Sequence, residues 1–254
     1  MDNSKLTTIA VGGGLDKNAL FGLNGSVAKA QNYKDVIATL DTNTISVNSN
    51  LTAKEISVHA GNTMAMTTSA DGASVGNKSL VIGAAGVATN DSVMTTKAYI
   101  NGNNTDAFKT DSVDVSALSD NTLTNVGISL TGDISNGLDD SKPLNLDVLA
   151  NVAKNKLKND TIALVENFKV DADKTVTVKA KSEEKITNVV GAANIMENTG
   201  SDTALNFAFG ASVAVNTITG STLADLLNSN INVGNGLYVN ADAFHKNKNV
   251  VFSG

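Results

Sequence analysis

TVTVKAKSEEKITNVVG, residues 175–191, decides how the rest of this chain reads. Val176, Val178 and Ala180 alternate with Thr and Lys, the two-residue period of a strand with one buried face. A polar patch follows, then a second short apolar run. Related phrases recur as EISVHAGNTMAMTTS around Val58, SVDVSALSDNTLTNV around Val115 and GLYVNADAFHKNKNVV around Val239. The steps between the anchor valines 58, 115, 178 and 239 are 57, 63 and 61 residues. A spacing of this size is the signature of a repeat architecture.

The match extends to both sides. Downstream, Leu123-Thr124-Asn125-Val126 parallels Ile186-Thr187-Asn188-Val189, and Asn249-Val250 falls at the same offset in the last copy. Upstream, a short phrase with a central alanine recurs at Ala38, Ala98, Ala163 and Ala224. A third phrase opens three copies, GSVAKA at Gly25, GAAGVATN at Gly83 and GASVAVN at Gly210, and LNLDVLANV (residues 144–152) takes its place in the remaining one. Three different phrases in one order define four units, roughly residues 20–80, 81–140, 141–200 and 201–254, with residues 1–20 as a partial coil or cap.

Each unit holds short alternating segments between Asn, Asp, Gly and Ser. In a parallel β-solenoid, equivalent strands stack about 4.8 Å apart, inward positions fill a thin core and outward positions meet water. Asn and Gly tolerate the positive φ that corners need. Coils of about 20 residues would fit three to a unit, giving about a dozen coils and a rod of about 55–60 Å. The expected class is all-β, a parallel β-helix with a few protruding loops. Residues 143–157, PLNLDVLANVAKNKL, carry a helical spacing (Leu144, Val148, Leu149, Val152) and a strict two-residue period (Leu144, Leu146, Val148, Ala150, Val152). Its slot in the repeat favours strand, and the same preference holds for residues 223–227.

Composition narrows the chemistry. The 254 residues include no Cys, no Trp and one Pro, and all 19 basic residues are Lys, against 25 Asp and Glu, for a net charge of −6. Without Cys there are no disulfides, thiol nucleophiles or thiolate metal sites. A mildly acidic chain without Arg is a poor nucleic-acid binder. Aromatic residues make up only 4%, which suits a thin core of Val, Ala and Leu. No apolar run is long enough to span a membrane as a helix, the N-terminus has no signal-peptide pattern, and VVFSG breaks off in mid-pattern. We therefore expect a segment cut from a longer protein, with Met1 supplied for expression.

GASVAVNTITGSTLADLLNSNINVGNGLYVNADA and TIALVENFKVDADKTVTVKAKSEEKITNVVGAA resemble the passenger regions of large type V autotransporter adhesins. They are similar in particular to the long repetitive surface proteins of fusobacteria and to filamentous-haemagglutinin-like β-helical exoproteins. The resemblance covers about residues 20–254 and lies in pattern, without a unique motif. It implies a right-handed β-helix on the cell surface, anchored to the outer membrane through a translocator domain absent from this chain. It further implies attachment to host cells or other bacteria through an unidentified protein or glycan receptor, with no enzymatic activity, no cofactor and no membrane insertion by this segment, which would be a monomer in solution. It carries no catalytic, cofactor-binding or metal-ligating residues over. Two alternatives stand beside it: a polysaccharide-acting β-helix enzyme, and a head or stalk segment of a trimeric autotransporter.

Residues singled out for chemistry read more simply as structure. Gly72-Ala73-Ser74-Val75-Gly76 fits the nucleophile-elbow pattern, which needs a following helix and a nearby His; a turn is the expected reading. His59 sits at an outward position, and His245 lies among lysines in an expected loop, remote from it. Asp133, Asp139 and Asp140 are the densest acids and a possible calcium loop, although the EF-hand spacing is not met. The adjacent Glu183 and Glu184 would point to opposite sides of a strand. VGGGLDKN (residues 11–18) resembles a calcium-binding nonapeptide at the wrong spacing and is expected to be a loop. Lys154, Lys156 and Lys158 would form a basic stripe on one strand face. Residues 102–106 and 132–141 are the loops most able to project.

Overall fold

The structure, a computed structural model, describes residues 2–17, 21–42, 52–77, 81–103, 105, 107–135, 144–198 and 205–253. Among them there is no helix. The strands are β1 Asp2–Lys17, β2 Phe21–Asp41, β3 Thr52–Asn77, β4 Val81–Asn101, β5 Phe108–Ser135, β6 Leu144–Glu166, β7 Lys169–Asn198, β8 Leu205–Leu227, β9 Asn230–Val233 and β10 Gly236–Ser253. One parallel sheet runs in the order β1-β3-β5-β7-β10, with β9 also on β7, and a second runs in the order β2-β4-β6-β8. The chain passes alternately from one sheet to the other, and the two pack face to face. The fold is an all-β stack of parallel strands, as a β-solenoid requires.

The register follows the sequence repeat residue by residue. Val58 pairs with Val115, Val115 with Val178 and Val178 with Val239. Ala38, Ala98, Ala163 and Ala224 stack in the second sheet. The segment opening at Pro143 is strand from Leu144 onward, with Val152 beside Val87 and Val213, and residues 223–227 end β8.

The coil differs from the expected one. Partners lie about 60 residues apart, so each unit is one coil of two long strands, where three coils of about 20 were expected. The first sheet is then five strands deep, about 19 Å at strand spacing, while the 30-residue β7 has a contour of about 100 Å. Among the described residues the chain turns at few places. Asn167 (φ 51°) and Asn228 (φ 49°) sit at the equivalent corner of successive coils. Gly102 holds the matching position one coil earlier, where its amide continues the ladder to Glu166 O at 2.8 Å. Most of the other Asn, Ser and Gly residues among those described lie inside strands.

The core changes character along the strands. At one end Ile56, Val58, Ala60, Val113, Val115, Val176 and Val178 meet Ala98, Ile100, Ala163 and Val165, and the Phe108 and Phe168 rings stack at 5.3 Å across the corner. In the middle Met64, Met66, Leu123 and Ile186 face Met94 and Leu157. Toward the other end the facing residues become small, Ala28, Ala70 and Ala88, with Ile82, Leu149 and Val190 as larger apolar side chains still buried there. There the sheets approach so closely that a Cβ on Gly72 would lie 2.6 Å from Ala85 O, and one on Gly86 or Gly12 would also strike opposing backbone. This explains two corrections. VGGGL, expected as a loop, lies within β1, and GASVG, expected as a turn, lies within β3. In both, glycine admits the facing sheet.

A thin interior leaves little room for large side chains, and at this end most of them point outward. Val27, Val87, Val152 and Val213 form one outer column of the second sheet. Phe21, Leu23, Phe207 and Phe209 are also exposed there, while Ser26, Ser74, Ser129, Asn151 and Asp147 are buried. Polarity is inverted relative to the valine-rich end.

Candidate functional site

The dominant polar feature is internal. Thr68, Asn125, Asn188 and Asn249 stack on the first sheet and face Asn90, Asn155 and Asn216 on the second. The amides zigzag between the sheets. Asn90 Nδ2 donates to Asn125 Oδ1 (2.7 Å) and Asn155 Oδ1 (2.9 Å). Asn155 Nδ2 donates to Asn188 Oδ1 (2.6 Å) and Asn216 Oδ1 (3.0 Å). Asn188 Nδ2 donates to Asn216 Oδ1 (2.7 Å) and Asn249 Oδ1 (3.0 Å). Thr68 closes the chain against Asn90. Asn90, Asn125, Asn155 and Asn188 are all fully buried. An amide offers two donors and an acceptor with two lone pairs, enough to bond along the stack and across it at once.

A second buried cluster sits nearer the middle. Asn159 Nδ2 donates to Ser182 Oγ and Glu184 Oε1, both at 2.9 Å. Glu184 is 2% exposed, and its other oxygen lies 2.5 Å from His245 Nδ1. His245 is therefore no loop residue. It occupies β10 directly beside Glu184, pointing inward on the stack Ser4-Met64-Asn121-Glu184-His245. Glu183 does point outward, where Lys185 at 2.7 Å holds its carboxyl below the usual range. His59 is exposed and bonds Ser116 on the neighbouring strand, well removed from His245.

The remaining candidates do not converge. Ser74 is buried and accepts from Asn24 Nδ2 at 3.0 Å, with strand and no helix around it. Asp133 lies in β5, while Asp139 and Asp140 fall outside the described residues. Among the described residues no cluster of three or more acids and histidines is placed to hold a metal. Lys154, Lys156 and Lys158 line the outer face of β6, with Asp91 paired in register to Lys156. Of the two loops expected to project, residues 132–135 instead continue β5 and residues 136–141 lie outside the described residues; in the other, Thr105 N donates to Asn103 Oδ1 at 3.1 Å.

Burial is the main cause of a displaced proton affinity at two groups. Burial and the Glu166 carboxylate, 2.6 Å away, push the Tyr99 phenol up to about 12, and Lys97 lies over its ring at 4.2 Å. Burial pushes the Asp147 carboxyl up, against the opposing pull of Asn194 and Thr131. Asp147, Asn151, Asn155 and Asn159 recur at every fourth residue of β6, all inward, so the acid stands where the series has an amide. The four-residue spacing in β6 carries this signal in the sequence, although Asn between short apolar runs reads first as a corner residue.

No family model, curated protein or solved structure matches this chain.

Two predictions follow from the interior. Asn155→Ala strands the bonding groups of three partner amides and should lower unfolding free energy by about 1–3 kcal/mol, measured by urea titration. Because folding raises the proton affinity of Asp147, its favourable contribution is complete below the ordinary carboxylate range and lost as pH rises through its raised value. Asp147→Asn should therefore stabilise the protein at pH 7 and flatten the stability profile above about pH 4, read from urea midpoints across that range.

Proposed function

We propose that this chain is a structural and adhesive segment of a bacterial cell-surface passenger protein, holding surface loops on a stiff stacked core and presenting attachment to host cells or other bacteria. The observation that supports it most is the in-register stacking of equivalent residues from four successive units, from Val58 to Val239. Such a core is built by adding coils, each burying the last, and so suits a protein that extends a surface by repetition. The resemblance of its repeat phrases to autotransporter passengers supplies the location, on the outer surface and anchored elsewhere in the parent protein.

A polysaccharide-acting enzyme gains no support from the carboxylates. Glu183 and Glu184 lie on opposite faces, and Glu184 is enclosed by Asn159, Ser182 and His245. A glycosidase needs two carboxyls across one open cleft.

Beads coated with the chain should bind epithelial or bacterial cells saturably, and soluble chain should compete. Binding no greater than that of beads coated with an unrelated Cys-free β-protein would contradict the adhesive role.

A further inference from the structure

We propose that the outer face of the second sheet, at the thin end of the stack, docks a second copy of this chain, sheet on sheet about a two-fold axis. The outward residues of this face are apolar on all four strands. Val27, Val87, Val152 and Val213 make a ridge. Beside it, Gly25, Ala85, Ala150 and Ala211 make a furrow. Leu23, Val148 and Phe209 stand on the furrow's far side, with Leu23 74% and Phe209 60% exposed. Columns on one face are about 6.6 Å apart and packed sheets about 10 Å. The valine ridge of one copy thus fits the alanine furrow of the other, and a two-fold axis makes the exchange reciprocal. This self-complementary relief is what selects a second copy as the occupant.

Charge and area agree. The nearest outward charges, Lys29 and Lys154, lie in the next column and would stay at the rim. The matching end of the first sheet carries Asp71 among its apolar outer residues and does not offer the same surface. Seven residues of four strands span about 23 Å by 14 Å between the outer strand axes, or about 650 Å² of flat face for the pair, which strand width and side-chain relief raise toward the roughly 1,000 Å² of a specific interface. The ridge cannot turn inward, because Gly72 and Gly86 bring the opposite sheet against the backbone beneath it. A bilayer is the poorer occupant, since β2 and β8 leave open edges and hydrocarbon does not tolerate unpaired backbone groups. Pairing through this face replaces the monomer expected from the sequence.

Sedimentation of the intact chain across concentration should show a monomer–dimer equilibrium. Val152→Lys, at the centre of the ridge, should weaken association at least about 30-fold. Ala150→Leu, which fills the furrow without adding charge, should weaken it too, and Leu130→Lys on the other sheet should leave it unchanged. Circular dichroism establishes that each variant keeps its strand signal, and Val213→Lys on the edge strand replaces any that does not. A wild-type chain that remains monomeric at about 100 µM, an association regime strong enough for only weak interfaces, would overturn the proposal. So would a dimer that survives the ridge substitutions, or a monomer that floats with neutral phosphatidylcholine vesicles through Val152.

Discussion

Everything in this molecule depends on one constraint: equivalent residues of successive units must lie directly above one another. The backbone ladder of a parallel sheet would tolerate a slip of register, but the interior does not. A one-residue slip would move every inward side chain to the outside. A two-residue slip would keep the faces and still break the amide ladder, setting Asn155 beside Ala88 or Ser92 where Asn90 now stands. The asparagines therefore act as a register lock between coils whose lengths vary by several residues, with the difference absorbed outside the strands or at the bulge where Thr110 and Ser112 meet Ala172 and Thr175.

The sheets converge along the strands, and this sets where polarity lies. Where Val115 and Val178 stack on the alanine column of the second sheet, the core is thick and apolar and the exterior carries Glu55, Asp114 and Lys179. Past the asparagines, glycine and alanine let backbone meet backbone, so most side chains between the sheets are small or polar, Ile82, Leu149 and Val190 being the larger ones, and most Val, Leu and Phe go outside. The inverted end follows from packing space, and it leaves a face that is apolar by necessity.

The sequence made the stack legible because like pairs with like. The anchor valines, the alanine phrase, Asn125-Asn188-Asn249 and the strand after Pro143 all pair as their spacing indicated. The coil size was hidden because Asn has two uses: at Asn167 and Asn228 it turns the chain, and at Asn90, Asn155 and Asn216 it bonds inside it. Composition cannot separate them, whereas the inward parity and four-residue recurrence in β6 could have. The glycine runs misled for a similar reason, since close sheet approach and a loop demand the same residue. His245 looked like a loop residue among lysines, and only the stacking on Glu184 reveals its inward position. The outer ridge was present as alternating Val and Ala, but a sequence does not say which of two apolar faces is the inner one.

Stacking by whole units can be tested by covalent capture, since the chain contains no cysteine. Thr124 and Thr187 face outward as direct partners on β5 and β7, while Glu183 lies four residues away along the same face, about 13 Å. Under mild oxidation, Thr124→Cys with Thr187→Cys should close an intramolecular disulfide, and Thr124→Cys with Glu183→Cys should not. If the first pair stays reduced, or both pairs close equally, the units do not lie in register and the stacked architecture is wrong.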